Sequence, residues 1–291
     1  MHDFDRIARR LLAVANQPPA NRIALLKRLC PELVHQIEID RGRSGPLIFW
    51  GRCRNVDELG SEIIVDPTIL ETVFRIAEQP FSPEHPHAGL QHTYGYLLSV
   101  IDTPFGKKRD RWVKTSLESA LGLSPDVLSP SPAAGTLLAN ATWLAGSIAF
   151  QGHERLKWMQ RCLLKRAARS LPELKLDRLK GLRYTETVIL PKSHGLCPRI
   201  SLVTDLVNMP CAHVEDCGKN WLLVYSIDDD RSRHPQLVTL FTVAEDFVQA
   251  IRERAATRLR SDLRPRYNAY ISGFPTEACT GTVQLIQRQN V

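Results

Sequence analysis

The sequence predicts an α+β fold, with a helix-rich N-terminal half and a mainly antiparallel sheet from the C-terminal half. In the first half apolar residues recur at helical spacing, whereas from Tyr184 onward they alternate or form short strand-like runs. The turn at 228–234 joins two of those runs as a hairpin does. We therefore expect one compact domain over residues 1–291, with the Ser- and Pro-rich stretch 124–135 as the candidate subdomain break.

Helices and short strands alternate in the predicted first half. Pro18-Pro19 ends a first amphipathic helix, and Asn21 is a suitable N-cap for a second. Asp66-Pro67 opens a third helix, because proline fits the first helical position. The predicted helices cover 3–16, 21–29 and 66–77, and the predicted strands cover 47–50, 62–65 and 93–102.

The rest of the chain contains two buried or basic helices and the predicted sheet. Two segments match a capping box, Thr115–Glu118 and Thr242–Glu245, and each predicts the start of a helix. An Ala- and Leu-rich stretch predicts a buried helix at 136–150, and a strongly basic helix follows at 153–170. The predicted strands are 184–190, 199–207, 221–227 and 237–243, with closing strands at 267–271 and 282–286.

The composition is that of an ordinary globular protein, with 43% hydrophobic and 24% charged residues. Seven cysteines without a C-x-x-C pair, and an N-terminus without an apolar leader, favour a reducing cytoplasm. The longest apolar stretch, 135–150, is too short to span a bilayer, so we expect no membrane segment. A net charge of +7 favours anionic partners, either small molecules or nucleic acid.

Three of the nine histidines, His85, His87 and His92, lie in one short stretch. Neutral imidazoles are the commonest protein ligands for transition metals, and His-x-His in an extended segment puts both rings on one side. The spacing therefore indicates a catalytic site in which these histidines supply acid–base chemistry or hold zinc or iron, with Glu84 as another candidate ligand. The alternative is a proline-stiffened surface loop in which the histidines share no role.

A basic turn follows at 106–112. Gly106 permits close backbone approach, the neighbouring cations offer many donors to a phosphate or carboxylate, and Asp110 could orient an arginine. Trp112 could stack on a planar ligand. The alternative is a solvated loop, which is what most charge runs are. The candidate substrate-binding residues of this turn are Lys107, Arg109, Arg111 and Trp112, with Lys108 among the donors.

Two further segments contain chemically capable side chains. Cys211 and His213 would face the same way in an extended chain, so the imidazole could activate the thiol. We favour the plainer interpretation of two free thiols near a loop, because the pattern is short. The acidic run 228–230 could hold Mg²⁺, but aspartates more often make turns by bonding nearby backbone, and we interpret it so.

The sequence contains no P-loop, dinucleotide-binding, α/β-hydrolase or zincin motif. Our first hypothesis is an enzyme that acts on a small anionic molecule carrying a carboxylate or a phosphate. The second is a nucleic-acid- or nucleotide-binding protein that uses the basic turn 106–112 and the basic helix 153–170. It ranks second because no recognition motif for nucleic acid accompanies the helix. The third is an assembly protein in which these features are only surface.

Overall fold

A computed structural model of the chain describes most of both halves. The description covers residues 9–10, 12–14, 16–42, 47–56, 62–103, 106–110, 136–150, 154–167, 181–189, 199–208, 221–232, 235–257, 269–270 and 281–288.

Helices make up most of the described chain up to residue 167, and one more lies in sequence between two strands of the large sheet. A π-helical turn, Gln91–Gly95, lies between two short helices. In chain order the helices are α1 (Pro19–Leu29), α2 (Pro31–Gly42), α3 (Pro67–Ile76), α4 (Ala88–Leu90), α5 (Tyr96–Leu98), α6 (Leu137–Ala149), α7 (Glu154–Ala167) and α8 (Glu245–Thr257).

The strands form one large sheet and one small ribbon, both antiparallel. The large sheet has the strand order β5-β4-β3-β2-β7, and the ribbon pairs β1 with β6. In chain order the strands are β1 (Arg52–Cys53), β2 (Gly181–Ile189), β3 (Arg199–Asn208), β4 (Trp221–Asp229), β5 (Gln236–Val243), β6 (Ala269–Tyr270) and β7 (Gly281–Arg288).

The α+β prediction is confirmed, since most of the described helices precede an antiparallel sheet drawn from the second half. Residues 221–227 of β4 are all buried, so this inner strand is covered on both faces. Helix α6 packs across β3, β4 and β5, and one continuous hydrophobic cluster contains residues from both halves of the chain. The proposed break at 124–135 lies outside the described residues.

Helix α6 is the buried helix that the sequence predicts at 136–150. The Thr136 hydroxyl caps it by accepting a hydrogen bond from the Ala139 N–H at 3.2 Å. Gly146 lets α7 approach closely, because a Cβ at this position would lie 2.1 Å from the Met159 sulfur. Helix α3 is also as predicted, with Pro67 in its first turn and the Asp66 carboxylate accepting from two backbone N–H groups.

The predicted strand at 93–102 is wrong. Residues 91–98 continue as the π turn and α5, and every residue from 88 to 99 is buried. A run that is apolar on all sides fits a buried strand and a buried helix equally well, so its period could not separate the two.

Other local predictions also need correction. Asn21 is not a cap, because α1 begins at Pro19, whereas the end of this helix at Leu29 is as predicted. The predicted strands at 47–50 and 62–65 shrink to single bridges, Trp50 with Leu237 and Ile63 with Val56. The second capping box fails since Thr242 lies in β5 and α8 begins at Glu245. The first capping box lies outside the described residues.

Candidate functional site

His87 is committed to the backbone through both ring nitrogens. The Leu90 N–H donates to Nδ1 at 3.2 Å, so Nε2 carries the proton and donates to the Leu47 carbonyl at 2.8 Å. Burial lowers the pKa of His87 to about 4, so the ring is neutral at pH 7. A metal ion would have to displace one of these two hydrogen bonds, and His87 therefore acts here as the N-cap of α4.

His92 lies in the interior on the π turn. Only 1% of it is exposed, and its ring lies against Tyr96 with the centroids 4.7 Å apart. π-Helical turns are frequent at functional sites. In this protein the turn places His92 among buried neighbours, away from the partly exposed setting of His85.

His85 stacks on an aromatic ring that belongs to a distant strand. Its ring lies on Tyr270 of β6 with the centroids 3.7 Å apart, and both residues are partly buried. Burial lowers the pKa of His85; Glu84 opposes the shift, and Arg54 and Arg52 add to it. The ring is therefore neutral at pH 7 and lies close to two guanidinium groups.

The three histidines thus have three different sets of neighbours. Among the described residues, no three His, Cys, Asp or Glu side chains lie together in a way that could hold a metal ion. Zinc or iron at His85, His87 and His92 therefore remains a prediction from sequence spacing.

The basic turn buries two of its cations. Lys108 is 4% exposed and Arg109 is 9% exposed, while Lys107 is partly exposed. Arg109 Nε lies 3.4 Å from Asp110 Oδ1, so the acid lies beside this arginine as the sequence suggested. A fully solvated loop does not describe these residues, although Arg111 and Trp112 lie outside the described residues.

A tight turn precedes the buried cations and fixes where they lie. The Gly106 N–H donates to the Thr103 carbonyl at 2.9 Å, and the Thr103 hydroxyl donates to the Gly106 carbonyl at 2.6 Å. Gly106 has a φ of 81°, which glycine adopts without steric cost. The turn therefore depends on this glycine.

The remaining candidates divide between one structural turn and segments that are not described. Cys211 and His213 lie outside the described residues. Asp229 receives Arg231 Nη2 at 2.7 Å and the Arg231 N–H at 2.9 Å. Burial raises the pKa of Asp229, but the hydrogen bonds from Arg231 outweigh it and hold the pKa below its usual value. The acidic run ends β4 and begins the turn to β5, so it takes part in a turn as interpreted from the sequence.

The basic helix is present as α7 and packs one side into the core. Met159 is buried, Leu156 packs against the same cluster, and Lys157 and Arg161 are exposed. This arrangement is that of an ordinary amphipathic surface helix.

The β1 face is a charged surface that the sequence analysis missed. It consists of Arg52, Arg54, His85 and Tyr270. Arg52 and Arg54 are exposed whereas Cys53 between them is buried, because side chains alternate along an extended segment. The charged–apolar–charged pattern Arg-Cys-Arg was the available signal.

A polar cluster also lies in the interior. Asp40, only 1% exposed, accepts hydrogen bonds from the Tyr94 hydroxyl of the π turn and from the Thr136 hydroxyl. The Gln36 side-chain oxygen accepts from the Leu137 N–H at 3.3 Å. These contacts join α2, the π turn and the start of α6, so we assign the cluster to the fold rather than to a ligand.

The fold and these side chains define a mixed α+β protein with basic groups in one buried turn and on one exposed ribbon. No helix of the described residues is both long and apolar enough to cross a membrane. In comparisons with known proteins, no family model, no curated protein and no solved structure matched this chain.

Proposed function

We propose that the protein is an enzyme that binds a small anionic molecule, carrying a carboxylate or a phosphate, at the basic turn 106–112. The observation that carries the proposal is the burial of two adjacent cations, Lys108 and Arg109, of which 4% and 9% remain exposed.

Burial changes what these cations can do. Removing a cation from water is costly, and contacts within the chain, such as that of Arg109 with Asp110, offset part of this cost. The same removal strengthens attraction to an anion, since the effective dielectric constant is lower than that of water. An anionic ligand would therefore gain more binding free energy at Lys108 and Arg109 than at an exposed cation.

The shape of the segment supports the same proposal. Gly106 and Thr103 hold a closed turn directly before the cations, so their backbone is positioned before a ligand arrives. Preorganisation of this kind reduces the entropy lost on binding. The guanidinium of Arg109 adds a planar fork that matches carboxylate and phosphate oxygens.

The proposal does not include a metal ion. His87 already uses both ring nitrogens, and His92 lies in the interior against Tyr96. We assign the reaction of the bound molecule to general acid–base catalysis by side chains of the protein. Acid–base catalysis is the role, besides metal binding, that the sequence analysis proposed for the histidine segment.

The test is calorimetric titration of the full chain with inorganic phosphate, pyrophosphate and succinate. We expect at least one of these anions to bind, and Arg109→Ala to weaken it by about tenfold to a hundredfold, because a charge-assisted contact contributes about 1.5–3 kcal/mol. Arg28→Ala, an exposed cation on α1, is the matched control and should bind as the wild type does. Absence of binding by the wild type, or equal affinity of Arg109→Ala and wild type, overturns the proposal.

Nucleic acid remains the second candidate, because Lys157 and Arg161 of α7 are exposed. Titration with a single-stranded oligonucleotide at two salt concentrations separates the two functions. Phosphate neutralisation by several cations makes affinity fall steeply with salt. Tight, salt-steep binding by the wild type would favour nucleic acid over a small-molecule enzyme.

A further inference from the structure

The β1 face carries charge and aromatic surface in one place. Arg52 of β1 pairs directly with Tyr270 of β6, and directly paired residues of an antiparallel ladder project on the same face. Arg54 follows two residues later, about 7 Å along the extended chain and on the same face. His85 closes the set by stacking on Tyr270, with the ring centroids 3.7 Å apart.

The two arginines keep their charge accessible. Arg52 and Arg54 are both exposed, and neither forms an ion pair with a carboxylate of the described residues. Arg52 Nη1 donates to the His85 carbonyl at 3.0 Å, which holds its guanidinium beside the ring pair. Among the described residues, Glu84 acts on His85 in the opposite direction to Arg52 and Arg54, so an acidic side chain lies near the two arginines.

The ribbon beneath is fixed by buried contacts. The Cys53 N–H donates to the Pro86 carbonyl at 3.0 Å, and the Cys53 thiol donates to the Gln91 side-chain oxygen at 3.2 Å. Gln91 in turn donates to the Arg54 carbonyl at 3.1 Å. The backbone that carries the two arginines is therefore held by the interior, so the two side chains start from fixed positions on one face.

We propose that the β1 face binds a nucleotide unit, with its phosphate held by Arg52 and Arg54 and its base stacked on the His85–Tyr270 pair. Guanidinium groups suit phosphate oxygens because their donors form a planar fork. Partly exposed rings offer a stacking face to a base of any sequence. Each half of the site recognises one half of the ligand, and this site is distinct from the basic turn 106–112.

The same chemistry is present in a free nucleotide and in a unit of a single strand. Adenosine monophosphate represents the first source, and a 5′-phosphorylated adenine dinucleotide represents the second. Tighter binding of the dinucleotide assigns the site to a strand, and equal binding assigns it to a free nucleotide. Both results support the proposal.

The experiment titrates the full chain with adenosine monophosphate, adenosine and inorganic phosphate. We expect the monophosphate to bind about tenfold or more tightly than either part, because the two contacts act together. Arg54→Ala should weaken it by about tenfold, and the substitution removes an exposed side chain without a described hydrogen bond. His85→Ala should weaken it by about fivefold or more and leave inorganic phosphate unchanged.

Two controls make the result specific. Arg28→Ala removes an exposed cation elsewhere and should change nothing, and Arg109→Ala separates any binding at the basic turn from binding at the β1 face. As a second readout, base stacking should shift the ring-proton resonances of His85 and Tyr270 upfield. The proposal is wrong if, in the Arg109→Ala background, neither nucleotide binds, inorganic phosphate binds as tightly as the monophosphate, or a further Arg54→Ala substitution leaves the affinity unchanged.

Discussion

The basic turn 106–112 and the β1 face carry the same kind of charge in opposite settings. Lys108 and Arg109 are buried, whereas Arg52 and Arg54 are exposed. A buried cation takes part in the fold, so removing it leaves its partners without a counter-charge. An exposed cation contributes little to stability, so its removal is expected to change ligand binding alone. Burial, more than residue type, decides which property a substitution changes.

His85 and His87, only two residues apart, also differ in how far each is committed to the fold. His87 is held by two backbone groups, and His85 stacks on Tyr270 at the surface. The following three predictions test these two contrasts.

The largest effect is expected from pH acting on His87. Its pKa is about 4 in the folded protein and about 6.5 in an unfolded chain, so the unfolded chain binds the extra proton first. The stability that the neutral His87 provides is fully present above pH 6.5 and is lost as the pH falls towards 4. A shift of this size corresponds to about 3 kcal/mol. Urea unfolding at several pH values between 7 and 4 measures it.

The matched variant is His87→Asn, because asparagine is a good N-cap and does not titrate in this range. Its unfolding free energy should fall less steeply than that of the wild type between pH 6.5 and 4. The control His35→Asn changes an exposed histidine on α2. Parallel pH profiles for His87→Asn and the wild type would contradict the assignment of His87 as a neutral cap.

The next effect compares Arg109→Ala with Arg54→Ala. In a solvated loop, the alternative that the sequence left open for this turn, Arg109→Ala would leave stability unchanged. Arg109 is instead 9% exposed and contacts Asp110. Arg109→Ala should lower the unfolding free energy by about 1.5–3 kcal/mol, and Arg54→Ala by less than about 0.5 kcal/mol. Equal losses in urea unfolding would remove the contrast between the two regions.

The smallest effect is expected from Glu84→Gln. Glu84 is exposed and is the acid that opposes the arginines at His85. Removing its charge should tighten binding of adenosine monophosphate by about twofold to fivefold, and the gain should shrink at high salt because exposed charges are screened. Calorimetric titration at two salt concentrations measures it. Unchanged or weaker binding would show that Glu84 does not face the ligand.

The sheet could be predicted from the sequence because its signal is local. Alternating or continuous apolar runs bounded by turns predicted the strands near 181–189, 199–208, 221–229 and 236–243, and the Asp-rich turn predicted the join between the last two. The helix α6 was predicted for the same reason, since the run that begins at Thr136 is rich in Ala and Leu.

The β1 face could not be predicted from the sequence in the same way. Tyr270 joins Arg52 only through pairing with a strand more than two hundred residues later, and nothing local specifies such a partner. The π turn was missed because the run 91–98 is buried on all sides and shows no strand or helix period. The histidines are close together in the sequence, but in the fold His85 lies at the surface and His92 lies in the interior.

The most direct test of the central claim is a crystal structure of the protein with tungstate, a tetrahedral anion whose position anomalous scattering reveals. The account predicts tungstate within hydrogen-bonding distance of Lys108 or Arg109 at the basic turn 106–112. A second tungstate between Arg52 and Arg54 is expected from the β1 face. Tungstate bound only elsewhere, with none at Lys108 or Arg109, would contradict the proposal that these buried cations form the site of a small anionic molecule.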